Sequence, residues 1–397
     1  MKLLIAIPAY NEEGSIESVI ARSLAARENI IRNSPVTEVD VTVVSDGSTD
    51  RTVERAGRYR NMISLIAFTA NRGYGAAIKE AWRRSDADVL GFLDADGTCD
   101  PNFFANLCQT MEAEKADVAL GCRMNPASKM PLVRRVGNSF FATLLRVLSS
   151  EPVRDAASGM RVVRRNVLDK LFPLPDGLHF TPAMSAHAVL GGEVRVAEVD
   201  MPYHERQGKS KLKVLQDGWR FLRVILEASF LFRPSRPLGI LGVAALLSAA
   251  GLMIYPTHYY LVNRAVAEWM IYRFVVSHLA GASAFLLFAA SYLTSRLAHL
   301  TVAPGSTPSA WENGIRRVLD NPWFWAAPAT LMLAGGLLVL PSFLQLVRTG
   351  ATYEHWSRFI AMTWLYAVAL ILVVTRAIDY VLGLIERRLA WLKGGHV

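Results

Sequence analysis

Four long apolar stretches in the C-terminal part of this 397-residue chain constrain its fold more than any other feature. They lie at about 237–255, 274–294, 323–346 and 359–382, each near the ~20 residues that a helix needs to cross a bilayer core. In hydrocarbon every backbone N–H and C=O must be paired inside the segment, so the stretches read as membrane helices. Trp323, Trp325, Trp356 and Trp364 flank two of them, as an interfacial aromatic belt does. Arg233 and Arg236 precede the first, Arg296, Arg316 and Arg317 lie between the second and third, and Arg387, Arg388 and Lys393 follow the fourth. The other two loops carry Arg264 with Arg273 and Arg348 with Arg358. This bias predicts an integral, multi-pass protein of a bacterial inner membrane, with the N-terminal part, the middle loop and the C-terminus in the cytoplasm. Arg376 and Asp379, near the cytoplasmic end of the last stretch, read as snorkelling side chains or as functional charges. The low charge content of the spans favours anchoring or homo-oligomer formation over transport.

The first 210 residues have a different character. Short apolar strands alternate with amphipathic helices, the pattern of an α/β domain with a mostly parallel sheet. The expected organisation is a cytoplasmic domain over 1–210, an interfacial amphipathic helix and linker over 211–236, and a four-helix transmembrane domain over 237–397. The N-terminal apolar run, Leu3 to Ile7, is too short for a signal peptide. Cys99, Cys108 and Cys122 show no metal-type spacing and no disulfide framework, which fits a reducing compartment. The net charge is +9, and its basic residues gather near the junction and beside the apolar stretches, which suits an anionic membrane face. No basic stripe interleaved with aromatics occurs in the first half, so nucleic acid is not an expected partner.

Within the N-terminal half, the strand Val89 to Leu93 ends in Asp94-Ala95-Asp96, and Asp100-Pro101 then opens a helix. Both carboxylates therefore stand at the carboxyl end of a strand, where open α/β sheets bind their ligands. Hard carboxylates in this arrangement suit Mg²⁺ or Mn²⁺, whose remaining positions take substrate phosphates; the plain alternative is a polar turn. A strand over Lys2 to Ile7 leads into Pro8-Ala9-Tyr10-Asn11-Glu12-Glu13-Gly14. A strand over Val39 to Val44 ends in Ser45-Asp46-Gly47, which puts Asp46 at the tip, placed to accept from a base or ribose. A third strand over Met62 to Phe68 precedes Asn71-Arg72-Gly73-Tyr74-Gly75-Ala76-Ala77, with Arg72 or Lys79 available to a phosphate. A further strand, Asp117 to Gly121, ends at Arg123. There is no Gly-x-Gly-x-x-Gly fingerprint and no Walker loop, which argues against a dehydrogenase and a P-loop NTPase.

Two segments have helical amphipathic spacing with basic flanks. Residues 211–232 place Leu212, Leu215, Trp219, Leu222 and Leu226 on one face and Lys213, Arg220, Arg223 and Glu227 on the other, as an interfacial helix does. Residues 132–148, with Val133, Val136, Phe140, Phe141, Leu144, Leu145 and Leu148 at helical spacing and Arg134, Arg135 and Arg146 flanking them, fit either an interface or packing on the sheet. The basic cluster His204 to Lys211 suits a phosphate head group or a positive-inside flank.

Taken together, these motifs resemble the family 2, GT-A fold glycosyltransferases that load sugars onto polyprenyl phosphates, typified by dolichol-phosphate mannose synthase. Residues 7–13, 44–50 and 71–77 match that family's three nucleotide-binding loops, Asp94-Ala95-Asp96 its metal motif, and Gly121-Cys122-Arg123 its Gly-Ser-Arg. Asp155-Ala156-Ala157-Ser158-Gly159-Met160-Arg161 matches its catalytic segment, and Arg206 to Lys211 resembles its phosphate-binding segment. The resemblance implies a Rossmann-like, mostly parallel GT-A catalytic domain. It also implies metal-dependent transfer, with inversion, from a UDP- or GDP-sugar to a polyprenyl phosphate. Donor contacts fall on Pro8, Tyr10, Glu12, Asp46, Gly73, Lys79, Asp94, Arg123 and Arg206. Asp94 and Asp96 are the metal pair, and Asp96, Asp155 and Arg161 the catalytic residues. Arg206, Lys209, Ser210 and Lys211 receive the acceptor phosphate. Ser45, Thr98, Met160 and the short spacing from Arg206 to Gly208 depart from the mannose-synthase pattern and weaken an assignment to mannose. His179 is expected to shape the sugar or acceptor pocket. Two alternatives stay open: transfer to a neutral lipid hydroxyl of the diacylglycerol or ceramide type, with Asp155 as obligatory base, and a lipid flippase or assembly scaffold carrying a sugar-nucleotide-binding domain.

Overall fold

Leu3, Leu4, Ile5, Ala6 and Ile7 are all buried, so the first strand, β1 (Lys2–Ala9), has apolar side chains on both faces. Such a strand is stable only in a sheet covered on both sides. In the computed structural model it lies inside a seven-stranded sheet. The other strands are β2 (Glu38–Ser45), β3 (Ser64–Ala67), β4 (Val89–Phe92), β5 (Val118–Cys122), β6 (Arg161–Arg164) and β7 (Val196–Asp200), in the order β3-β2-β1-β4-β6-β5-β7. The structure describes residues 1–126, 128–149, 153–205, 213–302, 308–351 and 355–393. Two units emerge, Met1–Ser229 and Phe230–Val397.

In the first unit the helices α1 (Ile16–Asn33), α2 (Thr52–Gly57), α3 (Tyr74–Arg84) and α4 (Phe104–Ala113) follow successive strands. Ile16, Val19 and Ile20 of α1 and Phe104, Leu107 and Met111 of α4 pack with Leu3, Ile5 and Ile7. Ile78, Ala81 and Trp82 of α3 pack with Leu4, Ala6 and Phe92 on the opposite face. The alternation along β1 thus feeds two separate cores. From β1 the chain builds β2 and β3 to one side and returns to β4 on the other. The carboxyl ends of β1 and β4 form the crevice where such a reversal places ligands.

The sheet is mostly parallel, as expected, but β6 runs antiparallel to both β4 and β5. Four residues, Arg-Val-Val-Arg, are too few for periodicity to mark a strand in the sequence. Helices α5 (Leu132–Ser149), α6 (Leu168–Leu171), α7 (Phe180–Gly191) and α8 (Val214–Phe232) complete this unit, the last few residues of α8 passing into the second. On α5, Ala142, Leu145 and Leu148 are buried while Leu132, Val133, Val136 and Phe140 are exposed. The buried residues pack as a core face does, and the opposite face stays exposed. On α8 the inward residues are Phe221, Ile225 and Ala228, whereas Leu215 is 90% and Trp219 69% exposed. Leu215 and Trp219, from the stripe read as interfacial, are therefore not core.

The second unit is helical: α9 (Ser235–Asn263), α10 (Ile271–Thr301), α11 (Ala310–Leu319), α12 (Ala326–Thr349) and α13 (Trp356–Lys393). Among the described residues four segments are long and apolar enough to cross a membrane, Ser235–Asn263, Glu268–Thr301, Ala326–Thr349 and Trp356–Leu392. They extend past the apolar stretches because the backbone stays helical through flanking polar residues.

Arg376 and Asp379 do not simply snorkel. Arg296 pairs with Asp379 at 2.8 Å, Asp379 with Arg376 at 3.1 Å, and Arg376 with Asp320 at 3.0 Å. The circle closes through Asp320–Arg316 at 3.7 Å, Arg316–Glu386 at 3.9 Å and Glu386–Arg296 at 2.6 Å. The Tyr292 hydroxyl also donates to Asp379 at 2.8 Å. A carboxylate as buried as Asp379 is tolerated because it is paired on several sides. The ring fastens the end of α11 to α10 and α13. Arg296→Met should lower the thermal midpoint of the detergent-solubilised protein, by an amount equivalent to about 3–5 kcal/mol. Combined with Asp379→Asn the losses should be less than additive. Additive losses in a double-mutant cycle would show that the pair is not coupled.

Candidate active site

β4 delivers Asp94 and Asp96 just beyond its carboxyl end, and the turn that carries them is tied down. The Ser15 hydroxyl donates to the Ala95 carbonyl at 2.7 Å, and the Arg22 guanidinium donates to the Gly97 and Cys99 carbonyls. Asp100 accepts from the Asn102 N–H, with Pro101 in the first helical position. The Tyr74 hydroxyl donates to Asp94 Oδ1 at 2.7 Å. The Thr98 hydroxyl and N–H donate to Asp96 Oδ1 at 2.6 and 3.1 Å. Burial and the Asp94 charge raise the Tyr74 phenol well above its ordinary range, so it stays a proton donor. At Gly159 any Cβ would collide with the Asp94 carboxylate, so the backbone passes there at a distance only glycine allows.

Asp94 and Asp96 open into a cavity of about 260 Å³, against ~30 Å³ for a water molecule. Its charged end holds Glu12, Asp94, Asp96 and Arg123, with Pro8, Tyr10, Tyr74 and Tyr203. Apolar lining comes from Met130, Val133 and Phe141 on and before α5, Leu178, and Val214 and Phe221 on α8, with Arg134 and Asn138 of α5 among them. The Phe141 and Phe221 rings meet edge-to-face at 5.7 Å, so the two helices close that side together.

Arg123 is fixed by Asp155. Its backbone N–H and Nε donate to Asp155 Oδ2 at 2.9 and 2.8 Å, and Nη2 donates to Oδ1 at 2.8 Å. The guanidinium also lies 5.6 Å from the centre of the Tyr203 ring. Burial pushes the Asp155 carboxyl up, but the Arg123 charge and hydrogen bonds outweigh it and hold the group below the usual carboxylate range. Asp155 is fully buried and does not line the cavity. The residue that faces the cavity is Arg123.

Of the residues singled out in the sequence, Pro8, Tyr10, Glu12, Asp94, Asp96 and Arg123 meet in this one cavity. Others do not. Arg161 is wholly buried, and its guanidinium donates to the Ser158 carbonyl, the Ser185 hydroxyl and the Ala156 carbonyl. Burial lowers its pKa to about 10, and its geometry supports the Ala156–Gly159 turn instead of reaching a phosphate. Asp46 accepts from the Arg72 and Gly73 N–H groups and from the Asn71 amide, so its carboxylate shapes that loop. Gly73 has a φ of 109° and sits against the Asp176 carbonyl, which leaves no room for a side chain. Lys79 pairs with Asp176 at 2.7 Å and donates to the Leu174 carbonyl, away from the cavity. Leu178 and Thr181 line the cavity but His179 does not; burial lowers the His179 pKa, and its Nδ1 has no hydrogen-bond partner among the described residues. Arg206, Lys209, Ser210 and Lys211 lie outside the described residues.

Sequence reasoning gave no role to Tyr74, although it lies inside the quoted Asn71–Ala77 loop. It also missed Asn138, a buried cavity residue of α5 whose side chain accepts from the Ala157 N–H at 3.3 Å. An asparagine on an otherwise amphipathic helix was the available signal.

Two hard carboxylates at one strand end suit Mg²⁺ or Mn²⁺, which bind through one or two carboxylates and complete their shell with phosphate and water oxygens. Among the described residues no group of three or more His, Cys, Asp or Glu gathers into an all-protein cage. The donor set therefore fits a cation shared with a phosphorylated ligand.

The description "Glycosyl transferase family 2" matches residues 4–172. A low-salt glycan biosynthesis hexosyltransferase of Haloferax volcanii is 33% identical over 254 residues, covering 62% of this chain and 59% of that protein. The chain thus spans less than two thirds of that relative's length. A dolichyl-phosphate hexose transferase of the same organism is 32% identical over 223 residues, covering 54% of this chain and 89% of that protein. Among solved structures, glucosyl-3-phosphoglycerate synthase from Mycobacterium tuberculosis, determined with Mn²⁺, UDP and phosphoglyceric acid, aligns with a TM-score of 0.46 at 19% identity, covering 57% of this chain and 78% of that one. With a mostly parallel GT-A sheet, a paired-carboxylate strand end and a relative matched over nearly its whole length, the chain belongs to glycosyl transferase family 2.

Proposed function

We propose that this protein transfers a sugar, with inversion, from a nucleotide-diphosphate sugar to a polyprenyl phosphate at the cytoplasmic face of a membrane. The observation that carries the reading is the two-sided cavity. A charged end formed by Glu12, Asp94, Asp96 and Arg123 meets an apolar side formed by α5 and α8, whose outer surfaces carry exposed Leu, Val, Phe and Trp residues. A lipid phosphate has the same division, a charged head on an apolar chain, and interfacial helices with such faces lie in the headgroup region. The dolichyl-phosphate relative supports the same acceptor class. In this reading residues 1–210 perform the chemistry, 211–236 follow the interface and 237–397 anchor the chain.

Asp94 and Asp96 would hold Mg²⁺ or Mn²⁺, which when bound neutralises charge on the departing nucleoside diphosphate. Pro8, near the end of β1, and Tyr10 and Glu12, on the loop after it, border the donor. Asp46 and Gly73 act by shaping the adjacent loop. Arg123, held by Asp155, presents a fixed guanidinium to phosphate oxygens. Arg161 supports the turn carrying Gly159, and Arg206, Lys209, Ser210 and Lys211 are the proposed partners of the acceptor phosphate. A phosphate acceptor is already anionic near neutral pH, so no strong base is needed. The lowered pKa and complete burial of Asp155 make it a poor base for a lipid hydroxyl.

The direct test is transfer of label from UDP-glucose, UDP-galactose, UDP-GlcNAc and GDP-mannose to undecaprenyl phosphate in detergent. One donor should give a labelled lipid, EDTA should stop the reaction, and Asp96→Ala should reduce it at least ~100-fold. Folded protein that uses no donor would contradict the reading. Replacing the exposed Trp219 by Ser should raise the KM for the lipid acceptor in vesicles and leave the donor KM unchanged; a change confined to the donor would contradict the interfacial placement of α8.

The Arg123–Asp155 pair also sets a pH dependence. In the wild type Asp155 has a lowered folded-state pKa, so its contribution to stability is complete above the unfolded value of about 4 and is lost as pH falls through the folded one. Arg123→Met leaves Asp155 buried without its cation, which reverses the shift. The gap in thermal midpoint between wild type and variant should therefore be large at pH 7 and shrink on acidification toward pH 4. A gap independent of pH would show that Asp155 is not held ionised by Arg123.

A further inference from the structure

Each carboxylate of the Asp94/Asp96 pair receives a hydroxyl proton from a residue outside the pair. Tyr74, at the start of α3, donates to Asp94 Oδ1 at 2.7 Å, and Thr98 donates to Asp96 Oδ1 at 2.6 Å. Neither donor is free to swing away. The Tyr74 ring is set edge-on between Phe92 and Phe180, with ring centres 6.4 and 6.5 Å away. The residue before it, Gly73, is locked against the Asp176 carbonyl, which also accepts from the Ala76 N–H at 3.1 Å. Thr98 is fully buried, and its own carbonyl accepts from the His204 N–H at 3.0 Å. On its far side the Asp94 carboxylate abuts the backbone at Gly159. Each carboxylate is thus fixed in rotation by a short, charge-assisted hydrogen bond from a rigidly seated hydroxyl.

We infer that Tyr74 and Thr98 are the positioning residues of the acidic pair, orienting Asp94 and Asp96 to receive one divalent cation together with a nucleoside diphosphate. The inference rests on the metal role given to the pair under the proposed function. Partners that orient metal-binding carboxylates typically change metal affinity about 10- to 100-fold when removed. A hydroxyl that merely filled space would change it little when replaced by an isosteric apolar group.

The experiment is a Mn²⁺ titration of the full-length protein in detergent, followed by the loss of free-Mn²⁺ electron paramagnetic resonance signal, with UDP or GDP present. Wild type, Tyr74→Phe, Thr98→Val and Thr98→Ser are compared, with thermal midpoints as a check on folding. Tyr74→Phe and Thr98→Val should each weaken Mn²⁺ binding by about 10- to 100-fold, while Thr98→Ser, which keeps the hydroxyl, should restore most of the affinity. Wild-type affinity in folded Tyr74→Phe and Thr98→Val overturns the inference and leaves the metal role of the pair intact. Equal weakening in Thr98→Ser and Thr98→Val overturns it for Thr98, because the loss would then follow shape and not the hydroxyl. If the wild type itself takes up no Mn²⁺ with either nucleotide, the proposed metal role fails and the inference falls with it.

Discussion

A carboxylate at the end of a buried strand must be paired with something, and this requirement organises the N-terminal unit. Asp46, Asp94, Asp96 and Asp155 stand near the carboxyl edge of the sheet, and they meet it in three ways. Asp46 is held by backbone N–H groups of the loop that it shapes, and Asp155 is held by a guanidinium. Asp94 accepts from the Tyr74 hydroxyl and Asp96 from the Thr98 hydroxyl and N–H, and both line the cavity. The distinction separates structural from chemical carboxylates. A carboxylate surrounded by N–H donors or paired bidentately with arginine has little capacity left for a ligand. One oriented by a hydroxyl keeps its charge directed at whatever occupies the cavity.

The same physics accounts for the roles of the arginines. Arg123 and Arg161 both lie close to Asp155, but only Arg123 reaches the cavity. Arg161 is consumed by two carbonyls and a hydroxyl, which makes it a brace for the segment that brings Gly159 against Asp94. Asp155 is a poor base for a neutral lipid hydroxyl, since the Arg123 pair holds it ionised and burial keeps it from the cavity. In the second unit the Arg296–Asp379 ring applies the same rule among apolar helices, where unpaired charge is costlier still.

Much of this was legible in the sequence. Apolar runs bounded by turn residues gave the parallel strands, and the capped helix after Asp96 gave the position of the acidic pair. Length and apolarity gave the helices that are long and apolar enough to cross a membrane. What escaped depends on contacts between distant residues. β6 is too short to show a period, and its antiparallel direction is set by pairing with β4 and β5. The contact of Tyr74 with Asp94 crosses 20 residues and that of Asp155 with Arg123 crosses 32. Several of the matched segments meet in one cavity, but motif matching did not tell which member of each faces it: it took Lys79 and Arg161 for ligand contacts, whereas both are engaged by the protein. Only the folded chain separates a charge that meets a ligand from one that supports it.

The central claim is that the cavity accepts a lipid through its phosphate, and the most direct measurement compares acceptors that differ in that group alone. Initial rates of sugar transfer would be determined with undecaprenyl phosphate and with undecaprenol in the same detergent, using the preferred donor and saturating Mn²⁺. A fixed guanidinium in the cavity and a buried, ionised Asp155 predict transfer to the phosphate and none above background to the alcohol. Comparable rates with the two acceptors would contradict the account, because recognition would then not depend on the phosphate.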